Sequence, residues 1–213
     1  MPEINEPGVN ISTHPIVKDK LTKLRSVDTE PRKFRELVRE ISLLLVCEAT
    51  TGLNTKTVSV TTPVGNTEGI TLGGSVGLVP ILRAGLGMVE GVWEMMPDAV
   101  VWHIGLRRNE QTLEPVQYYA NKPIEPDVQV CLLMDPMLAT GGSASAACKL
   151  LKSWGVNHII YIGIIAAPEG IRRLKKDHPK VPIYLAGLDS HLNEQGYIVP
   201  GLGDAGDRQF GTA

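Results

Sequence analysis

The chain has 213 residues, 43% of them hydrophobic and 21% charged, with a formal net charge of −2. That is the composition of a soluble globular protein, long enough to bury roughly 70% of its extended surface, and its near-neutral balance argues against nucleic acid or an anionic membrane as a partner. No apolar run approaches the ~18 residues of a membrane span, and the opening MPEINEPGVN lacks a charged-then-apolar targeting region, so the expected location is the cytoplasm.

Residues 1–12, polar and punctuated by Pro2, Pro7 and Gly8, read as an extended N-terminal arm that either packs on a partner subunit or frays. Pro15 to Leu24 is expected as a short helix. A longer one follows, with Asp28 or Thr29 as cap and Pro31 in the first turn. Phe34, Leu37, Val38, Ile41, Leu44 and Leu45 keep helical spacing along it. Arg32, Lys33, Arg35 and Arg39 on its other side read as a solvated face. Lys56–Val64 alternates as a strand, and Gly65-Asn66 and Gly73-Gly74 punctuate a loop. Val76–Leu82 is then a strand, Arg83-Ala84-Gly85 a turn, Leu86–Met96 a helix and Ala99–Gly105 a third apolar strand.

Leu106–Lys122 is polar and carries Arg107, Arg108 and the pair Tyr118-Tyr119, which suits a mobile hairpin lying over a site. Val128–Met134 is a strand buried on both faces. After it come a Gly/hydroxyl loop and a helix spaced by Ala147, Leu150, Leu151 and Trp154. Strand Ile159–Ala166, helix Glu169–Asp177 and strand Val181–Ala186 complete the alternation. Gly196–Thr212 is too rich in glycine for a helix or a central strand. Alternating β and α units imply an α/β fold: a largely parallel central sheet flanked by helices, in one domain spanning 1–213 whose residues 187–213 form a C-terminal appendage.

Cys47, Cys131 and Cys148 are odd in number, widely spaced and set in apolar segments, so they read as reduced core thiols. The five histidines show no metal-binding spacing, and a protein-held zinc site is not expected.

Chemistry concentrates after Val128–Met134. Asp135 ends that strand where open α/β sheets place their ligands. Thr140, Gly141, Gly142 and Ser143 then lead into a helix, so backbone N–H groups and a helix N-terminus converge on one point, which suits a phosphate. An acceptor-only carboxylate beside an anion cradle suggests a sugar phosphate, although a plain strand-to-helix turn stays open. A P-loop is excluded, because Ser143 stands where that motif needs Lys. Arg83, at another strand-to-helix turn, either grips an anion bidentately or makes a structural salt bridge. Gly85 to Gly91 and Gly201 to Gly206 each touch the dinucleotide pattern. The first lacks the acid at the end of the next strand, and no helix is expected in the seven residues after the second.

Asp135-Pro136-Met137-Leu138-Ala139-Thr140-Gly141-Gly142-Ser143 resembles the phosphoribosyl-diphosphate (PRPP) loop of the phosphoribosyltransferases in the wording of the uracil branch, which also has Met134 where other branches have a first acid. Leu78 to Met88 resembles that branch's diphosphate-contacting segment, and Leu192 to Asp207 its uracil-binding hood. The likeness runs from about Leu78 through Thr212, more weakly through the N-terminal helices. It implies the type I phosphoribosyltransferase fold with a flexible hairpin and a C-terminal base-binding hood. It also implies the reaction of uracil with PRPP to give UMP and diphosphate.

By resemblance, Asp135, Arg83 and Arg108 are the catalytic residues. PRPP is held by Arg83, Arg108, Asp135, Pro136, Met137, Leu138, Ala139, Thr140, Gly141, Gly142, Ser143 and Asp204. Uracil is held by Ile198, Gly203, Asp204 and Ala205. Arg107 and Asn109 flank Arg108 where the family has an aromatic and an acid, so Arg107 competes for the diphosphate role; alignment through Glu110 and Thr112 favours Arg108. Mg²⁺ is expected to arrive with PRPP, with no metal ligand from the protein. A homodimer or larger homo-oligomer and a GTP effector are expected of the family. The alternatives are a purine phosphoribosyltransferase, a PRPP-sensing regulator without catalysis, and a nicotinamide-cofactor enzyme.

Overall fold

The computed structural model describes residues 6–108, 115–121 and 128–212. The expected free arm ends in β1 (Val9–Ile11), which pairs in parallel with Ile183–Leu185. That pairing occupies backbone groups that a sheet edge would otherwise leave open. α1 (Pro15–Arg25) and α2 (Pro31–Ala49) form where expected, and α2 buries Phe34, Leu37, Val38, Ile41 and Leu45. Neither Asp28 nor Thr29 caps α2. Glu30 occupies that position, and the Thr29 hydroxyl donates instead to the Lys23 carbonyl (2.6 Å). The basic face is not wholly solvated either, because Arg35 donates to the Gln209 carbonyl and Arg39 pairs with Glu94. Cys47, on α2, is exposed, whereas Cys131 and Cys148 are core thiols pushed up to about 12 by burial.

β2 (Thr55–Thr62) and β3 (Gly65–Leu72) form a separate antiparallel hairpin. The loop expected from Gly65-Asn66 is thus a strand. Thr67, Ile70 and Thr71 supply the β-branched propensity that the glycine punctuation masked.

The remaining elements build the sheet. They are β4 (Val76–Leu82), α3 (Leu86–Met95), β5 (Val100–Val101), β6 (Ile104–Arg108), β7 (Pro115–Ala120), β8 (Val130–Met134), β9 (Met137–Leu138), α4 (Gly142–Ser153), β10 (Ile159–Ala166), α5 (Pro168–Asp177) and β11 (Ile183–Leu188). The chain closes with β12 (His191–Leu192), β13 (Ile198–Val199) and α6 (Ala205–Phe210). The expected strand over Ala99–Gly105 is broken into β5 and β6, and the one begun at Val181 starts at Ile183. α6 corrects the expectation that Gly196–Thr212 holds no helix. Asp204 caps it by accepting from Asp207 N, Gly211 closes it in the left-handed region (φ 66°), and Ala205, Gly206 and Gln209 are buried. Caps at both ends and packing outweigh glycine's poor propensity.

The strand order is β1-β11-β10-β8-β4-β6-β7, with β5 on β4 and β9 on β10; every pairing in this sheet is parallel except β6 with β7. Alternate residues of β8 serve the two faces. Leu132 and Met134 join the core under α1, α2 and α3, and Cys131 and Leu133 join the core under α4 and α5. From β4 the chain passes through α3 to β6 on one side. From β8 it passes through α4 to β10 on the other. The order therefore reverses between β4 and β8, and the crevice outside their carboxyl ends is where such sheets bind ligands. Arg83 and Asp135 are the residues that leave those two strands there.

Candidate active site

The Asp135 loop is made mostly by backbone. Asp135 N donates to the Ile162 carbonyl (3.2 Å), and the buried Tyr161 hydroxyl donates to the Asp135 carbonyl (2.9 Å). β10 thus holds the residue from its neighbouring strand. Residues 137 and 138 pair with β10 as β9, after which Gly141 takes φ 77° and α4 begins. A Cβ at Gly141 would lie 2.7 Å from the Gly170 carbonyl, and one at Gly170 would lie 2.4 Å from the carbonyls of Leu138 and Ala139. The loop and the start of α5 interlock through two glycines, and only glycine combines that approach with a positive φ. A cavity of about 90 Å³ remains, lined by Asp135, residues 137–141, Ser143 and Ala144. Loss of water pushes the Asp135 carboxyl up to about 7; the Met137 N–H pulls it back, and the Asp204 carboxylate adds to the rise.

The Arg83 turn abuts this loop. Gly85 N donates to the Ile81 carbonyl (2.9 Å), and a Cβ at Gly85 would sit 2.5 Å from the Met134 carbonyl. A Cβ at Gly87 would fall 1.9 Å from Gln209 Oε1, and one at Gly91 would meet the Arg39 side chain. The glycines that imitate a dinucleotide motif are thus explained by close packing. The Arg83 side chain is 58% exposed; its guanidinium is 3.5 Å from Asp207 and 5.8 Å from the centre of the Phe210 ring. Both readings of Arg83 meet here, since it has an acidic partner yet stays accessible in the crevice. Arg107 is exposed on β6, while the Arg108 side chain and the 109–114 segment of its motif lie outside the described residues.

The C-terminal segment completes the crevice. Ile198 is buried, and Gly201 and Gly203 take φ 65° and 79°. Asp189, only 5% exposed, accepts from Gly201 N (2.9 Å) and takes both ends of the Arg25 fork (2.8 and 2.5 Å). Arg25 also donates to the Gly201 carbonyl (2.7 Å). Arg208 donates to the carbonyls of Leu24, Leu202, Ser26 and Thr29, and its guanidinium lies 4.5 Å from the Phe34 ring centre. Gln209 is fully buried and bridges the Ala84 (3.0 Å) and Ala205 (2.9 Å) carbonyls. The hood is thereby tied to α1, to the start of α2 and to the Arg83 turn. None of Arg25, Asp189, Arg208 or Gln209 stands out in the sequence. The only hint is that Asp189, like Asp135, directly follows an apolar strand.

One further cluster imitates a hydrolytic triad. Ser145 Oγ donates to Asp177 (2.6 Å), the His178 Nε2 lies 3.0 Å from the Ser145 carbonyl, and its Nδ1 lies 2.8 Å from Lys152 Nζ. The hydroxyl donates to the acid and lies 3.4 Å from His178 Nε2, while the other ring nitrogen faces a lysine rather than an acid, so the group ties α4 to α5 without the nucleophile–base–acid order.

The arrangement thus offers an amide-rich cavity with a carboxylate at one end, a guanidinium at the other, and a glycine-lined backbone roof fixed from behind. A ligand with a phosphate, hydroxyls, a second anion and a flat partner fits those features.

The family model described as uracil phosphoribosyltransferase matches residues 11–212. A uracil phosphoribosyltransferase of Roseiflexus castenholzii is 57% identical over 204 residues, covering 96% of this chain and 98% of that protein. One of Dictyoglomus turgidum is 54% identical over 205 residues, with 96% and 99% covered. Among solved structures, the AQ2163 protein of Aquifex aeolicus superimposes with a TM-score of 0.91 at 36% identity over 96% of this chain and 99% of its own. Adenine phosphoribosyltransferase of Trypanosoma brucei shares the fold, with a TM-score of 0.61 at 14% identity over 96% and 92% of the two chains.

Proposed function

Because the chain belongs to the uracil phosphoribosyltransferase family, we infer that it transfers the phosphoribosyl group of PRPP to uracil, forming UMP and diphosphate in pyrimidine salvage. The observation that carries the reading is the meeting of three distant segments at the sheet's switch point: the Asp135 loop, the Arg83 turn that abuts Met134, and the hood that Gln209 joins to Ala84.

Positive charge develops on the ribose as diphosphate departs, so the protein's task is orientation and charge stabilisation, without a covalent nucleophile. Thr140, Gly141, Gly142 and Ser143 hold the 5′-phosphate with amides and hydroxyls, with the Ala139 amide beside them. Asp135 accepts from the ribose hydroxyls. Arg83 and Arg108 take the diphosphate. Ile198, Gly203, Asp204 and Ala205 read uracil through backbone N–H and C=O groups. Mg²⁺ bound to PRPP would supply further neutralisation of the leaving group. Among the described residues no three His, Cys, Asp or Glu converge, and the nearby Asp135 and Asp204 suit an ion held mainly by substrate phosphates.

No helix among the described residues is long and apolar enough to cross a membrane, and we place the enzyme in the cytoplasm. Exposed Trp93 and Met95 on α3 and Val64 and Ile70 on the β2–β3 hairpin support a homodimer or larger assembly, which light scattering measures. GTP, the effector expected of the family, is tested by adding it to the assay.

The deciding experiment is UMP formation from labelled base, PRPP and Mg²⁺, comparing uracil, cytosine, hypoxanthine and adenine. Turnover with uracil alone is expected, because cytosine reverses the donor–acceptor pattern at N3 and at its amino group. Comparable rates with cytosine would overturn the backbone-reading role. PRPP binding without turnover of any base would instead establish a regulator.

A further inference from the structure

Asp207 has no part in the roles above, yet it is the acid that faces Arg83. Its Oδ1 lies 3.5 Å from the Arg83 guanidinium and accepts from the Thr212 hydroxyl at 2.5 Å. Both side chains stay in reach of the crevice, 58% exposed for Arg83 and 36% for Asp207. The relation is built, because α6 carries Asp207 and is locked to the Arg83 turn. Gln209, two residues on, donates to the Ala84 carbonyl, and a Cβ at Gly206 would touch that of Ala84 at 3.9 Å. Asp204 caps the same helix through Asp207 N, so the acid is held between the hood and the leaving-group arginine.

We propose that Asp207 is a positioning residue for the reaction: it is the counter-ion that exchanges with diphosphate for the Arg83 guanidinium and so eases release of the leaving group. This rests on the proposed function, in which Arg83 grips diphosphate. A long, half-exposed ion pair is weak enough to be displaced by a multiply charged anion. As diphosphate leaves, the carboxylate takes back the guanidinium that would otherwise lose its partner. The exchange moves no covalent bond and needs no co-reactant.

The sign of the effect separates this role from a merely structural one. Asp207→Asn keeps an acceptor for Thr212 but removes the competing charge, so diphosphate and PRPP bind more tightly and product leaves more slowly. Calorimetry of the full chain with diphosphate and Mg²⁺ is expected to show about two- to fivefold tighter binding in Asp207→Asn, the range for one exposed ion pair, shrinking as salt is raised. In steady state, KM for PRPP and kcat are expected to fall together, whereas a damaged site raises KM. Asp207→Glu, which keeps the charge, is expected to stay within about twofold of the parent. Unchanged or weaker diphosphate binding in Asp207→Asn, or equal tightening in both variants, overturns the proposal. Absence of UMP formation by the unaltered protein refutes the functional reading instead, and is read in a separate assay.

Discussion

The two ends of the crevice are made in opposite ways. At the Asp135 end nine consecutive residues, 135–143, supply the proposed phosphate site, and backbone does most of the holding: β9 pairing, the Tyr161 hydroxyl on the Asp135 carbonyl, and the Gly141–Gly170 interlock. At the Arg83 end the groups come from three places far apart in the chain. They are held by side chains such as Gln209, Arg208 and the Arg25–Asp189 pair. A backbone cradle changes little as ligands come and go, which suits a phosphate kept throughout the reaction. A half-exposed arginine in the β4–α3 turn, paired with an acid on the C-terminal helix, suits the group that must depart.

The largest expected effect comes from the carboxylate of the rigid end. Asp135→Asn weakens two bonds from the ribose hydroxyls, each worth about 1.5–3 kcal/mol when charge-assisted, so kcat/KM is expected to fall by about 10²–10⁴-fold while circular dichroism is unchanged. Unaltered UMP formation would remove Asp135 from the mechanism. Arg83→Ala removes one such interaction at the departing end, and a smaller loss of about 10–150-fold is expected, seen mainly with PRPP and diphosphate. A loss that equals or exceeds that of Asp135→Asn would break the contrast between the two ends.

Asp189→Asn tests how the hood is held. Its carboxylate is buried against a partly exposed Arg25, and a destabilisation of about 2–3 kcal/mol by urea unfolding is expected, below the full range for a buried pair. KM for uracil should rise more than KM for PRPP, because Gly201 loses its anchor while the Asp135 loop keeps its own. Equal changes in both would show that the two ends are one cooperative unit.

The last contrast is a pH dependence. In the folded protein the Asp135 carboxyl is raised from 3.8 to about 7, so the folded state holds its proton more tightly than the unfolded chain does. Stability from this group is complete below about pH 4 and is lost as pH rises towards 7. Asp135→Asn does not titrate. The melting temperature of the variant relative to the parent should therefore climb from pH 4 to 8, and a flat difference would show a carboxyl that is already ionised. The proposed catalytic role needs the carboxylate, so kcat/KM for PRPP should rise through about pH 7 as free-protein stability declines.

Much of this was legible in the sequence because it is local. Helical spacing located α2, continuous apolar runs located β4, β8 and β10, and the Asp135 loop was readable because all its parts are adjacent in the chain. Short-range reasoning failed where distant packing decides. Glycine content argued against α6, yet Asp204, Gly211 and a buried Gln209 form it. The same bias turned β3 into a loop, and the arm gained β1 only by meeting β11.

The sequence by itself determined the alternation of strands and helices, the loop proposed to cradle phosphate and the acidic and basic groups that anchor the reading, Asp135 and Arg83. Only the tertiary structure decided that the strands leading to these two lie side by side, because adjacency of β4 and β8 is a matter of strand order. It alone revealed the supports from Arg25, Asp189, Arg208 and Gln209, and the pairing of Arg83 with Asp207 across 124 positions. Periodicity and turn chemistry act over a few residues and are written in neighbouring letters. Partners brought together by chain reversal leave no local mark, since a buried arginine and a solvated one are spelled alike.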